Sequence, residues 1–177
     1  MQYFIGIVPP DDYKDKIINF QKQWDSNDIM DVVEPHITLK AQGGLTEDEE
    51  WIAKVKTICK SYPSIHLSIH EPKFFGDDIL YLSASSNELF SLHEKIVQAI
   101  SPSDELINQY FELENFVPHM TLAKTHYGLS KQELRRMAKR AENELTPYPS
   151  FEVSFVRVYQ EKENNEYVKY MDIPLLK

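Results

Sequence analysis

The chain has 177 residues, of which 42% are hydrophobic and 12% aromatic, and this composition excludes an intrinsically disordered protein. The formal net charge of −9 argues against a long basic groove for nucleic acid, although one or two phosphates could bind in a local pocket. Cys59 is the only cysteine, which excludes an intramolecular disulfide and a cysteine-rich metal site. No apolar run predicts a membrane span, and the apolar N-terminus lacks the basic residues of a signal peptide, so we expect a cytoplasmic protein.

Taken in chain order, hydrophobic periodicity and turn residues predict alternating strands and helices. We expect strands at 3–8, 32–40, 65–69, 79–84, 116–124, 151–160 and 167–175, and helices at 12–24, from 46 towards 63, at 87–100 and at 130–145. Capping-box spacing, in Thr46 with Glu49 and in Ser130 with Glu133, predicts the start of two of these helices. The stretch 104–114 fits either a short helix or a lid-like connection.

One five-residue motif occurs twice, as Pro-His-Ile-Thr-Leu at 35–39 and as Pro-His-Met-Thr-Leu at 118–122. Alternate residues of a β-strand point to the same face, so each copy places one histidine and one threonine side by side. The pairs are His36 with Thr38 and His119 with Thr121. If the two strands meet, the four side chains form one polar pocket, and the intervening apolar residues point into a core.

The repetition extends well beyond this motif, with offsets of 83 to 86 residues. Each copy is followed by a Gly-Leu-Ser/Thr cap, and later by a Pro-Ser strand with alternating apolar residues, at 63–69 and at 149–155. We therefore predict an α+β fold made of a duplicated β-α-β-α-β unit, with pseudo-two-fold symmetry and mainly antiparallel sheets around a central cleft. The two lobes would form one domain, residues 1–177, with repeats of about 1–72 and 78–177.

Two histidines that face one cleft can divide acid–base work near neutral pH. One takes a proton from the nucleophile while the other donates a proton to the leaving oxygen, and threonine hydroxyls can hold the phosphate oxygens between them. In-line displacement at a phosphodiester needs no metal in this scheme, and we expect no cofactor. His66 and His70 share a strand face, but no third metal ligand is obvious.

The paired motifs His36-Ile37-Thr38-Leu39 and His119-Met120-Thr121-Leu122 resemble those of the two-histidine (2H) phosphoesterase superfamily. The resemblance covers the whole chain and is strongest to the RNA-ligase-like and cyclic phosphodiesterase branch, in particular to phosphoesterases of Gram-positive bacteria. It implies hydrolysis of a 2′,3′-cyclic phosphate or a related phosphodiester, or reversible 2′-5′ RNA linkage. It also implies that His36 is the proton donor, that His119 is the proton acceptor, and that Thr38 and Thr121 bind phosphate.

Further side chains near the motifs are candidates for substrate contacts. Lys40 shares the strand parity of His36, whereas Lys124 has the opposite parity to His119 unless the strand bulges. Aromatic residues of the connection before the second motif, Tyr110, Phe111 and Phe116, offer a base-stacking surface, but core packing is the expected role. The alternative to an enzyme is a non-catalytic protein that binds nucleotides or RNA ends in the same cleft. In either case we expect a small nucleotide-like or RNA-end ligand and no membrane association.

Overall fold

The computed structural model has eight strands and five α-helices, and it describes the backbone of residues 1–177 and every side chain except that of Asn164. The strands are β1 (Tyr3–Ile7), β2 (Ile37–Lys40), β3 (Ile65–Phe75), β4 (Ile79–Ser85), β5 (His119–Lys124), β6 (Ser150–Val153), β7 (Phe155–Glu161) and β8 (Tyr167–Pro174). The α-helices are α1 (Asp11–Gln21), α2 (Glu50–Ser61), α3 (Asn87–Ile100), α4 (Asp104–Gln109) and α5 (Lys131–Glu144).

The strands form one sheet in the order β6-β3-β4-β5-β2-β1-β7-β8, and every neighbouring pair is antiparallel. The predicted mixed fold and its antiparallel strands are therefore confirmed, with the difference that a single sheet runs through both repeats. Only Ser154 separates β6 from β7, although β6 lies at one edge of the sheet and β7 next to the other edge. The sheet must therefore curl, because one residue cannot cross a flat sheet of this width.

The sheet order shows the duplication directly. The two motif strands, β2 and β5, pair at its centre, with β1 and β4 outside them in equivalent positions. The third strand of each repeat crosses to the other half of the sheet, so that β3 lies beside β4 and β7 lies beside β1. This exchange ties the two repeats together and places the pseudo-two-fold axis between the motif strands.

One face of the central strands belongs to the hydrophobic core. Ile37, Leu39, Met120 and Leu122 have no solvent exposure and pack in the same cluster as apolar residues of the helices. Full burial of a Leu, Ile or Met side chain contributes about 1.5–3 kcal/mol, so these four residues fix which face of each strand is buried. The opposite face, with the histidines and threonines, is left for the cleft, as the strand parity predicts.

The two predicted capping boxes differ in outcome. Ser130 and Glu133 form the reciprocal box at the start of α5, so that prediction is confirmed. The box at Thr46 is wrong: the Thr46 hydroxyl donates to Asp48 at 2.7 Å, and α2 begins only at Glu50. Asp48 instead accepts a hydrogen bond from the Glu50 backbone N–H at 3.1 Å. An aspartate two residues after the threonine thus competes for its hydroxyl and shifts the helix start.

Other boundaries also depart from the sequence prediction: β2 and β5 begin only at Ile37 and His119, and α1 ends at Gln21. Strand β3 continues to Phe75 because its second half pairs with β4, a long-range contact that alternation within 65–69 cannot reveal. The single strand predicted at 151–160 is divided at Ser154, because its two parts pair with opposite sides of the curled sheet. The ambiguous stretch 104–114 contains α4 and the start of a short 3₁₀ turn, Leu113–Asn115.

The only cysteine, Cys59, is a core residue. Cys59 is fully buried in α2, where desolvation raises its thiol pKa to about 11, so this residue packs as an apolar side chain.

Within the part of the chain that the structure describes, no helix is long and apolar enough to cross a lipid bilayer.

Candidate active site

The two motif strands bring the four predicted side chains together. Ile37 of β2 pairs with Met120 of β5, the equivalent residue of the other repeat. In an antiparallel pair with this register, His36 stands opposite Thr121, and Thr38 stands opposite His119. Residues opposite each other in such a pair have Cβ atoms about 4.5–5.5 Å apart. Each histidine therefore has the threonine of the other motif as its cross-strand neighbour.

Both imidazole rings are held in the same way. The Nδ1 of His36 lies 2.8 Å from the backbone oxygen of Glu34, and the Nδ1 of His119 lies 2.7 Å from that of Val117. A carbonyl oxygen only accepts, so each Nδ1 carries the proton and donates it. This fixes the tautomer of both neutral rings and leaves each Nε2 free to accept a proton from, or return it to, a molecule in the cleft.

Aromatic side chains pack around each ring. His36 lies 4.8 Å from Phe4 and 5.5 Å from Tyr159, measured between ring centroids. His119 lies 4.9 Å from Phe75 and 5.3 Å from Tyr81, with both of these rings roughly edge-on. A Cβ at Gly6 would come within 3.1 Å of Tyr159 and 3.2 Å of the Ile37 backbone oxygen, closer than most Cβ contacts, so a larger residue here would displace its neighbours. The packing restricts both imidazoles to one orientation.

Burial lowers the pKa of both histidines. It is the main reason that the pKa of His36 falls to about 4, and the charges of His119 and Lys124 contribute to the same lowering. It also lowers the pKa of His119 below its ordinary value, and the charge of Lys124 adds to this effect. The charge of a protonated His119 contributes to the lowered pKa of His36, so a single proton on the pair is favoured over two.

A partly buried charge network lies behind His36, whereas Val117, whose carbonyl holds His119 in the same way, has no charged side chain. Glu34, whose carbonyl holds His36, accepts side-chain hydrogen bonds from Arg157 at 2.8 Å, Tyr159 at 2.9 Å and Lys14 at 3.1 Å. Burial opposes ionisation of Glu34, but these hydrogen bonds outweigh it and lower the carboxyl pKa. Arg157 also makes a bidentate pair with Asp172. The corresponding position in the second repeat is the apolar Val117, so the network makes the two histidines unequal.

Simple strand parity predicts the wrong face for both lysines near the motifs, Lys40 and Lys124. In β2, Thr38 pairs with Gly6 and Lys40 with Ile5, so Leu39 is one extra residue and forms a bulge. The bulge reverses the alternation, and Lys40 turns away from the cleft. Its amine lies 2.7 Å from a carboxylate oxygen of Glu112, at a position without solvent exposure.

The same bulge occurs in β5 and has the opposite effect on Lys124. Tyr81 pairs with Thr121 and Leu80 with Ala123, which leaves Leu122 as the extra residue. Lys124 therefore points to the same face of the strand as His119. The sequence alone predicts this only if the strand contains a bulge. The Lys124 amine lies 5.5 Å from the centre of the Tyr127 ring, and its positive charge lowers the pKa of both histidines. Burial lowers the pKa of Lys124 itself.

A cavity of about 500 Å³ opens beside Thr38 and His119. We call it the aromatic pocket, because its walls include Phe75, Ile79, Tyr110, Phe111, Phe116 and Val117. Phe116 packs partly against the core, as expected from the sequence, but Phe111 is 70% exposed, so the predicted core role of Phe111 is wrong. The volume of the aromatic pocket is within the range of about 300–1,000 Å³ that is usual for small-molecule sites.

Sequence reasoning missed Glu34, Arg157, Glu112 and His93, which all support the site. The polar Arg157 between Val156 and Val158 was a signal for a strand face that is not apolar, but its partner Glu34 is 123 positions away. His93 is buried in α3, where it interrupts an otherwise apolar stripe. A polar residue within an apolar stripe indicates that it has a hydrogen-bond partner, but the sequence does not show which residue this partner is.

Among the described residues, no group of three or more His, Cys, Asp or Glu side chains is arranged to hold a metal ion. The Nε2 of His70 lies 2.7 Å from the hydroxyl of Ser85, and His66 is exposed, opposite Glu152 of β6.

Comparison with known proteins agrees with the geometry. The family model described as the 2′-5′ RNA ligase superfamily matches residues 9–165. An RNA 2′,3′-cyclic phosphodiesterase of Methanocaldococcus jannaschii is 23% identical over 167 residues, which cover 90% of this chain and 91% of that protein.

Solved structures share the fold over nearly the whole chain. The protein TT0787 of Thermus thermophilus has a TM-score of 0.69 at 14% identity, and covers 99% of this chain and 98% of its own. Escherichia coli LigT in complex with 3′-AMP has a TM-score of 0.62 at 16% identity, with the same coverage. The family match extends over most of the sequence and includes both histidine motifs. The chain therefore belongs to the 2′-5′ RNA ligase superfamily, and it is an enzyme of the 2H phosphoesterase type.

Proposed function

We propose that this protein is a metal-independent phosphoesterase that hydrolyses a 2′,3′-cyclic phosphate, or a related phosphodiester, by acid–base catalysis from His36 and His119. One observation carries the proposal: each ring donates its Nδ1–H to a backbone carbonyl, so that both Nε2 atoms are free on the same face of the central strands. The relative that is named an RNA 2′,3′-cyclic phosphodiesterase supports the choice of substrate.

The reaction needs one proton on the histidine pair. The neutral ring accepts a proton at Nε2 from a water molecule, whose oxygen forms a bond to phosphorus. The bond from phosphorus to one ribose oxygen breaks, and the protonated ring donates its Nε2 proton to that oxygen. The product is a phosphomonoester, and the pair again carries one proton, on the other ring.

Three further side chains would stabilise the charge that develops on the phosphate. Thr38 and Thr121 are half-buried on the cleft face, where their hydroxyls can donate to the non-bridging oxygens. Lys124 supplies a positive charge on the same strand face as His119, and this charge lowers the pKa of both histidines. Lys40 is not included in this proposal, since its amine already binds Glu112 and the backbone oxygens of Ala41 and Gly43.

The assignment of His36 as donor and His119 as acceptor stays a prediction. In the ligand-free cleft, burial lowers the pKa of His36 to about 4, which favours the opposite order, with the proton on His119. A substrate with an activated leaving group separates the two cases, because such a leaving group needs no acid. Replacement of the donor by alanine should slow hydrolysis of this substrate far less than replacement of the acceptor.

A substrate panel with a chelator tests the proposed function. We expect the purified protein to convert nucleoside 2′,3′-cyclic phosphates to monophosphates at an unchanged rate in excess EDTA. Loss of activity in EDTA that added metal restores would contradict metal independence. Nucleotide binding without turnover over a broad panel of cyclic and linear phosphodiesters would instead support the non-catalytic alternative.

A further inference from the structure

We propose that the aromatic pocket binds the nucleobase of the substrate, with the exposed ring of Phe111 as its stacking platform. This inference rests on the proposed function for its phosphate end, and adds the residue that selects a nucleotide over other phosphodiesters. It starts from the connection between α4 and β5, residues 110–116, which forms one wall of the pocket and which we call the 110–116 segment.

The backbone of the 110–116 segment is strained. Phe111 and Leu113 have φ angles of 53° and 56°, in the left-handed region that residues other than glycine rarely adopt. Between them, Glu112 is buried while Phe111 is 70% exposed. Such strain persists only where surrounding contacts fix it, and it is concentrated at ligand-binding sites. The strained conformation here turns a large apolar ring outward at the edge of a cavity.

Two buried side chains fix this conformation from below. Glu112 accepts hydrogen bonds from the Lys40 amine at 2.7 Å and from the Ala41 backbone N–H at 3.2 Å. His93 accepts from the Leu113 backbone N–H at 2.9 Å, and its Nδ1 donates to the Leu39 oxygen at 2.7 Å. Both anchors therefore join the 110–116 segment to the residues that directly follow Thr38. The stacking ring and the phosphate-binding hydroxyl are parts of one rigid unit.

The chemistry of the pocket selects the ligand. Its cleft end carries Thr38 and His119, which suit a phosphate, and most of the remaining wall is apolar or aromatic. A ligand that fills both parts has a phosphoryl group at one end and a flat, weakly polar ring at the other, as a nucleotide does. Stacking on an aromatic side chain tolerates any base, because every base has a π-face. We therefore expect discrimination between nucleotides and base-free phosphodiesters, with little preference among bases.

Nucleotide binding, measured by calorimetry, tests the inference without turnover. Adenosine 3′-monophosphate should bind Phe111→Ala about 5- to 150-fold more weakly than wild type, the effect of losing one base-stacking contact. Phe111→Tyr keeps the ring and should bind normally, and so should Phe74→Ala, which removes an aromatic residue of β3 outside the pocket. Inorganic phosphate should bind all four proteins equally. Unchanged nucleotide affinity in Phe111→Ala, or no nucleotide binding by wild type, would overturn the inference.

Turnover separates this inference from the proposed function. For adenosine 2′,3′-cyclic phosphate, Phe111→Ala should raise KM about 5- to 150-fold with kcat nearly unchanged, whereas glycerol 1,2-cyclic phosphate should be hydrolysed as by wild type. Equal losses on both substrates would overturn the base-binding role and leave the phosphoesterase proposal intact. Phe111-dependent nucleotide binding without hydrolysis of either substrate would keep the inference and contradict the phosphoesterase.

Discussion

Lys40 and Glu112 form an ion pair 2.7 Å long at a site where neither side chain is more than 2% exposed. Burial lowers the pKa of Lys40 and raises that of Glu112, so each charge depends on the other to remain ionised. Lys40→Met should therefore lower the free energy of unfolding by about 3–5 kcal/mol, because it leaves a buried carboxylate without a partner. Denaturant titration gives this value.

A second substitution distinguishes the ion pair from a direct role in catalysis. Adding Glu112→Leu to Lys40→Met removes the unpaired charge and should restore much of the lost stability. If Lys40→Met unfolds like wild type but raises KM, the amine contacts substrate, and the buried pair is not its role.

Lys124 is the lysine that we expect to contact phosphate. Lys124→Met should raise KM about tenfold, the order expected for the loss of one hydrogen bond to a charged group. It should also shift the pH optimum of kcat/KM upward, because the charge of Lys124 lowers the pKa of both histidines. Lys124→Arg keeps the charge and should retain the wild-type pH profile. Lys139→Met, on the exposed side of α5, is the control for loss of one positive charge.

The two threonines should make similar contributions, since each lies opposite the histidine of the other motif. Thr38→Val and Thr121→Val should each lower kcat/KM by about 10- to 100-fold, because each removes one donor to a charged phosphate oxygen. Thr→Ser at either position retains the hydroxyl and should preserve most activity. Steady-state kinetics on one cyclic nucleotide measures these effects. Valine variants with wild-type kcat/KM would show that the hydroxyls do not touch the phosphate.

The pH dependence follows from the lowered histidine pKa values. Burial brings His36 to about 4 and His119 below its ordinary value of about 6.5, so the free enzyme holds one proton on the pair only at acidic pH. The kcat/KM profile should thus be bell-shaped, with an optimum below pH 6.5. A bound phosphate anion raises both pKa values, so the optimum for kcat should lie at higher pH. A kcat/KM value that still rises at pH 8 would contradict the pKa directions.

The sequence could predict the centre of this site because repetition and strand parity are local properties. The Pro-His-x-Thr-Leu motifs gave His36 and His119 equivalent positions, and the apolar residues between them set the face of each strand. Parity failed two residues further on, at Lys40, because the bulge at Leu39 depends on pairing with β1. For Lys124, the equivalent bulge at Leu122 restored the parity that the sequence left conditional.

The supporting residues could not be predicted for a related reason. The partners of Lys40, Glu34 and His93 lie 20 to 123 positions away along the chain, and nothing in the local pattern names them. The exposed ring of Phe111 is another case, because large aromatic side chains are usually buried in the core. Its left-handed backbone, fixed by Glu112 and His93, appears only in three dimensions.

The most direct test of the central claim is the hydrolysis rate of one nucleoside 2′,3′-cyclic phosphate by four proteins: wild type, His36→Ala, His119→Ala and the double variant. Far-UV circular dichroism confirms that each is folded. Each single variant should lose about 10²–10⁴-fold in kcat/KM, the usual contribution of a positioned acid or base. The double variant should be little slower than the singles, because the two histidines act as a unit. A double variant that turns over substrate as fast as wild type would contradict the two-histidine mechanism.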